Sequence, residues 1–121
     1  MTTTAQTVRG YHEARFRGDV AAAAAHLAEP FSFRSPFIRS TDPVGHLAGL
    51  PEFVKIVTDV DLISELYGEA EATLVYDVHT ATPAGVQRTA EHFRLDDSGK
   101  ITTIMLIFDA APWQPMAQLM T

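Results

Sequence analysis

The segment from Val86 to Asp109, VQRTAEHFRLDDSGKITTIMLIFD, decides the fold. It reads as two strands joined by a tight turn at Asp97-Ser98-Gly99. In the first strand Gln87, Thr89, Glu91, Phe93 and Leu95 share one side, while Arg88, Ala90, His92 and Arg94 share the other. Glu91 therefore lies on the side of Phe93 and Leu95. An unpaired carboxylate is costly there, so the expectation is a neutral carboxylic acid facing a lined cavity rather than a solid core. The second strand is apolar on both sides, with Ile104, Leu106 and Phe108 on one and Met105 and Ile107 on the other. That pattern places it centrally in a sheet or in a subunit interface.

Two more strands are expected upstream, about Leu62 to Tyr67 and Ala72 to Ala81, with a turn at Thr82-Pro83-Ala84-Gly85. Further upstream the period changes. Thr4 to Arg17 suits a helix with Val8, Tyr11 and Ala14 or Arg15 on one stripe. Gly18 can end it in a left-handed conformation and Asp19 can cap a second helix, which runs through Ala21–Ala25 and Leu27 until Pro30 closes it. Phe31-Ser32-Phe33-Arg34-Ser35 alternates as a short strand ended by Pro36. Phe37 to His46 reads as a loop, and a third helix follows with Leu50, Phe53, Val54, Val57 and Val60 on one face. Helices first and antiparallel strands last define an α+β chain, read as one domain over residues 1–121.

Composition narrows the function classes. The 121 residues are 46% hydrophobic and 20% charged, as in an ordinary globular domain. A formal net charge of -6 at pH 7, with no basic patch, argues against nucleic acid or an anionic membrane as partner. There are no cysteines, so disulfides, thiolate nucleophiles and cysteine-based zinc sites are excluded. The start, Met1-Thr2-Thr3-Thr4, lacks the basic and apolar regions of a secretory signal, and a cytoplasmic protein is expected. His12, His26, His46, His79 and His92 form no His-x-x-x-His pair, so no metal is expected. No glycine-rich phosphate loop or Gly-x-Ser-x-Gly elbow is present, and no cofactor is expected.

The element order, together with Tyr11 through Gly18-Asp19 and Glu91-His92-Phe93-Arg94 through Gly99-Lys100-Ile101 to Phe108, resembles the nuclear transport factor 2-like superfamily. That group includes ketosteroid isomerases, SnoaL-like polyketide cyclases and limonene epoxide hydrolases. The resemblance covers roughly Thr7 to Trp113 and implies a cone, with N-terminal helices packed in a strongly curved, mostly antiparallel sheet that encloses a cavity. It also implies a homodimer through the sheet face. Against ketosteroid isomerase, Tyr11 stands at the oxyanion-hole tyrosine and Glu91 at the protonated aspartic acid. The general base of that enzyme is replaced by Ser35, and the working aspartate of the hydrolases and cyclases by Leu106.

The expected ligand is an apolar, oxygenated small molecule. Tyr11 and Glu91 would stabilise developing negative charge on its carbonyl oxygen, and a base would come from His46, from a water held by Ser35, or from the ligand. Phe33, Tyr76, Val78, Phe93, Ile104, Leu106 and Phe108 would form the walls. A structural reading of Glu91 is open beside this one, in which Tyr11, Tyr76 or Arg15 satisfies it. Asp77, His79, Arg88 and His92 are expected to form a polar cluster on the outer sheet face. The function that this resemblance implies is a cofactor-independent isomerase or cyclase. The alternative is a non-catalytic binding or interaction domain that keeps the cavity but lacks the base.

Overall fold

The computed structural model describes residues 3–113. Helix α1, Thr4–Arg17, starts where the sequence places it, behind a capping box in which Thr3 and Gln6 exchange side-chain and backbone hydrogen bonds. Gly18 ends it at φ 76°, a left-handed conformation that a side chain resists. Asp19 then caps α2, Val20–Ala24, by accepting from the Ala22 N–H.

The second helix stops earlier than expected. Leu27 already belongs to β1, Leu27–Arg34, and Pro30 lies inside that strand rather than closing a helix. The β1–β6 register shifts between Leu27 and Ser32, an irregularity that accommodates a residue with no N–H to give. The expected loop is also partly ordered. It contains β2, Arg39–Ser40, and α3, Pro43–Leu47, whose N-cap Asp42 accepts from the Val44 N–H. The third expected helix is only α4, Leu50–Val54. Val57 and Val60 instead open β3, Val57–Tyr67, because β-branched residues gain more from pairing with the next strand than from a lengthened helix.

The remaining strands are β4, Glu71–Thr80, β5, Val86–Leu95, and β6, Ile101–Phe108. They complete a six-stranded curved sheet in the order β2-β1-β6-β5-β4-β3. Only the β1–β6 pair is parallel. The β5–β6 turn is held by Asp96, whose carboxylate accepts from the N–H groups of Ser98 and Lys100, with Gly99 at φ 83°.

Helix α1 lies against the inner face of the sheet, tied at two turns by Thr4 Oγ1 to the Glu69 carbonyl (2.7 Å) and Thr7 Oγ1 to the Gly99 carbonyl (3.2 Å). Its buried stripe of Val8, Tyr11 and Ala14 meets Leu74, Tyr76, Phe93 and Ile104. Each large side chain fully buried there contributes roughly 2–3 kcal/mol relative to exposure. β6 is central in the strand order, as its composition requires. Its outer side is nevertheless open in the single chain, where Met105 is 41% and Ile107 54% exposed. No described helix is long and apolar enough to cross a membrane.

Candidate functional site

Strict alternation along β5 turns Gln87, Thr89, Glu91 and Phe93 inward, and all four are buried. Glu91 has no exposed surface and sits between its cross-strand neighbours Leu74 on β4 and Leu106 on β6. Its Oε1 accepts from Arg15 Nη1 at 3.0 Å and from the Tyr76 hydroxyl at 2.7 Å, while Arg15 Nη1 also lies 2.9 Å from the Tyr76 oxygen. Arg15 arrives from α1, one turn after Tyr11 on the buried face. The expected neutral acid is thus corrected: Glu91 is the carboxylate of a buried ion pair, and it accepts rather than donates. Burial works against the Arg15 charge, but Tyr76, Glu91 and Tyr11 outweigh it and hold the guanidinium protonated. Burial raises the Tyr76 phenol well above its ordinary range, against the pull of Arg15.

Tyr11 does not touch Glu91 through a hydrogen bond; its ring meets Phe93 edge-on at 5.9 Å. Its hydroxyl lies 2.8 Å from His46 Nε2. His46 comes from α3, the helix hidden in the expected loop, and its ring rests 4.0 Å from Phe33 and 5.4 Å from Phe31. Burial, with a smaller contribution from Arg15, pushes the imidazole down to about 4, so it is neutral at pH 7. Burial also raises the Tyr11 phenol. Two candidates separated widely in the chain therefore form one neutral acid–base pair.

Ser35 is elsewhere in purpose. Its Oγ accepts from the N–H groups of Phe37 (3.3 Å) and Ile38 (3.1 Å), closing the turn after β1. Of the expected walls, Phe33, Tyr76, Val78, Phe93 and Ile104 are buried, while Leu106 and Phe108 are half-buried. The interior around Glu91 is packed, since Tyr11, Leu74, Tyr76, Phe93 and Ile104 also show no exposure. Two surface hollows among the described residues lie outside it. One is a shallow groove of about 390 Å³ on the outer face, lined by Thr73, Ala90, His92, Arg94, Met105 and Ile107 among others. The other sits at the sheet end around Gly68–Glu71 and Arg94. Neither is lined by Tyr11, His46 or Glu91.

The outer polar cluster forms with revised partners. Arg88 grips Asp77 through two bonds of 2.9 Å, but His79 pairs with Asp61 on β3 (2.8 Å) and His92 with Thr73 (2.9 Å). Asp59, Asp61 and His79 bring ligand atoms within 4.8 Å of one another on this exposed face. They are the described residues best placed to meet a metal, although the Asp61–His79 hydrogen bond already accounts for part of the cluster. Residue spacing does not reveal such a group, because strand register assembles it. His12, weighed in the sequence only as a metal ligand, packs edge-on against Tyr76 at 4.9 Å, and burial together with Arg15 pushes it down to about 4.

With its curved sheet wrapped on an N-terminal helix, this chain shares the fold of solved NTF2-like proteins of 19% identity from Cytophaga hutchinsonii and Burkholderia pseudomallei. A protein from Kribbella flavida is 27% identical, with 93% of this chain and 92% of that chain covered at a TM-score of 0.81. A steroid delta-isomerase from Pseudomonas aeruginosa is 16% identical over 99% and 93%, at 0.77. A putative SnoaL-like polyketide cyclase from Shewanella putrefaciens is 12% identical over 98% and 88%, at 0.75. No protein-family model and no curated protein matches the chain. At these identities the isomerase and the cyclase share its fold, and their activities are their own.

Proposed function

We propose that the chain is a cofactor-independent proton-transfer enzyme of the isomerase or cyclase type, acting on an apolar, oxygenated small molecule. The hydrogen bond between the Tyr11 hydroxyl and a neutral His46 carries this reading. With the imidazole proton on Nδ1, Tyr11 donates to Nε2. A ligand carbonyl that takes the Tyr11 hydroxyl frees Nε2, whose lone pair accepts a proton from the adjacent carbon. The electron pair of that C–H bond moves onto the carbonyl oxygen, and Tyr11 holds the enolate that results. Return of the proton from Nε2 to another carbon completes an isomerisation.

The test is deuterium uptake from D2O by a panel of unsaturated ketones, followed by NMR across pH. Uptake should rise as pH rises through about 4, where the imidazole loses its proton, and then stay level. His46→Ala should lower it by about two orders of magnitude; equal rates in wild type and variant would remove His46 as the base. A second reading, a binding domain without turnover, is favoured by the packed interior and by the absence of a carboxylate at Ser35 and Leu106. Ligand binding with no uptake at any pH would establish it.

The exposed Met105 and Ile107 also support a homodimer formed through the outer sheet face. Sedimentation of Ile107→Glu beside wild type tests it, and an identical monomeric mass for both would refute it.

A further inference from the structure

Most cations of this acidic chain stand beside an acid: Arg9, Arg15, Arg17, Lys55 and Arg88 all do. Arg94 has no such partner among the described residues. Alternation along β5 puts it on the outer face with Ala90 and His92. Glu71 stands opposite it in register, but the Glu71 carboxylate pairs instead with His92 Nε2 at 3.7 Å. Arg34, the neighbour of Met105 across β1 and β6, adds a second exposed cation to this side of the sheet.

Arg94 lines the outer groove of about 390 Å³. Register orders that groove in three rungs, Arg94 with Thr103, His92 with Met105, and Ala90 with Ile107. It is therefore polar at one end and apolar at the other, about 13 Å away along the strands. Thr73 Oγ1 and His92 Nδ1 satisfy each other at 2.9 Å, which leaves the Arg94 guanidinium as the donor at the polar end.

Charge and shape select the occupant. A guanidinium grips a carboxylate through two parallel hydrogen bonds, whereas an alcohol gains only one, and an ammonium is repelled. A saturated tail removes the exposed Met105 and Ile107 from water. We propose that this groove binds an apolar monocarboxylate, its head on Arg94 and its tail along Ala90, Met105 and Ile107. The ligand covers the residues on which the proposed dimer rests, so ligand and second copy exclude one another. It is independent of the proton-transfer reading, whose ligand lies on the opposite side of the sheet.

Titration of the full chain with octanoate, octan-1-ol and octylamine, followed by calorimetry and methyl NMR, tests it. Octanoate should bind about fivefold more tightly than the alcohol, with the amine weakest. It should move the methyl signals of Met105 and Ile107 and leave that of Ile104, on the inner face, in place. Arg94→Gln changes an exposed side chain and should lower octanoate to the affinity of the alcohol. In sedimentation, octanoate should convert dimer to monomer. Equal affinity for acid and alcohol, or unchanged binding by Arg94→Gln, overturns the carboxylate assignment. No binding at any protein concentration, or shifts at Ile104 without Ile107, overturns the site. A dimer that takes up octanoate and keeps its mass overturns the exclusion. A chain that is monomeric throughout and binds octanoate at Ile107 upholds the groove and refutes the dimer.

Discussion

The two faces of one sheet carry the same chemistry in different surroundings. Inside, Arg15 and Glu91 pair with side chains that are 11% and 0% exposed. Outside, Arg88 and Asp77 pair with better geometry, two parallel bonds, yet the arginine is 69% exposed. Water screens the outer pair and competes for both partners, so its net contribution is small. The inner pair has given up nearly all of its hydration. Its members depend on one another, and removing one leaves a charge with no compensation. Contact geometry alone would rank the two pairs in the wrong order.

The largest effect should come from breaking the inner pair on one side. Arg15→Leu should destabilise the protein by about 3–5 kcal/mol in urea unfolding, because Glu91 is then buried unpaired. Arg15→Leu combined with Glu91→Leu should recover much of that loss, since an apolar pair carries no desolvation penalty. A double variant as unstable as the single one would show that the pair is worth more than its solvation cost.

Acid should act next, through two half-buried histidines of the interior. His12 and His46 are pushed down to about 4 when folded, against an unfolded value near 6.5. The unfolded chain therefore binds more protons than the folded one between those limits. Stability is complete above about pH 6.5 and falls as pH drops toward 4, by roughly 2–4 kcal/mol for the two together, allowing for their partial exposure. His46→Phe should flatten the curve in that window, and an unchanged slope would assign the acid sensitivity to other groups.

The smallest effect belongs to the outer face. Arg88→Ala should leave the melting temperature within experimental scatter at physiological salt. A clear drop would mean that this face is covered in solution, as the proposed dimer requires, and would sharpen the contrast in a different direction.

Legibility in the sequence follows the same division between local and assembled features. Helix α1 and strands β5 and β6 are readable to the residue, because alternation, a left-handed glycine and the Asp97-Ser98-Gly99 turn are all local signals. Leu27, Val57 and Val60 read as helix positions and lie in strands instead, since short apolar runs fit a helix face and a strand equally well until a partner strand is known. Pro30 looks like a helix stop but marks an irregular stretch of strand. In the site, the inward turn of Glu91 follows from alternation, and Arg15 was within reach because it lies four residues after Tyr11 on one helix. The Tyr11–His46 contact was not, since it depends on where α3 is carried by a segment with no periodic signal.

The insertion of β6 between β1 and β5 governs the order in which the protein can be finished. During synthesis β3, β4 and β5 leave the ribosome as a complete antiparallel meander, but β1 and β2, made much earlier, have no edge to join. They become part of the sheet only when the last strand arrives to bridge them. Until then Phe31 and Phe33 have no sheet to cover them. Nascent chains stalled before Ile101 should accordingly be open to proteases and to chaperones that bind apolar segments, however complete their meander.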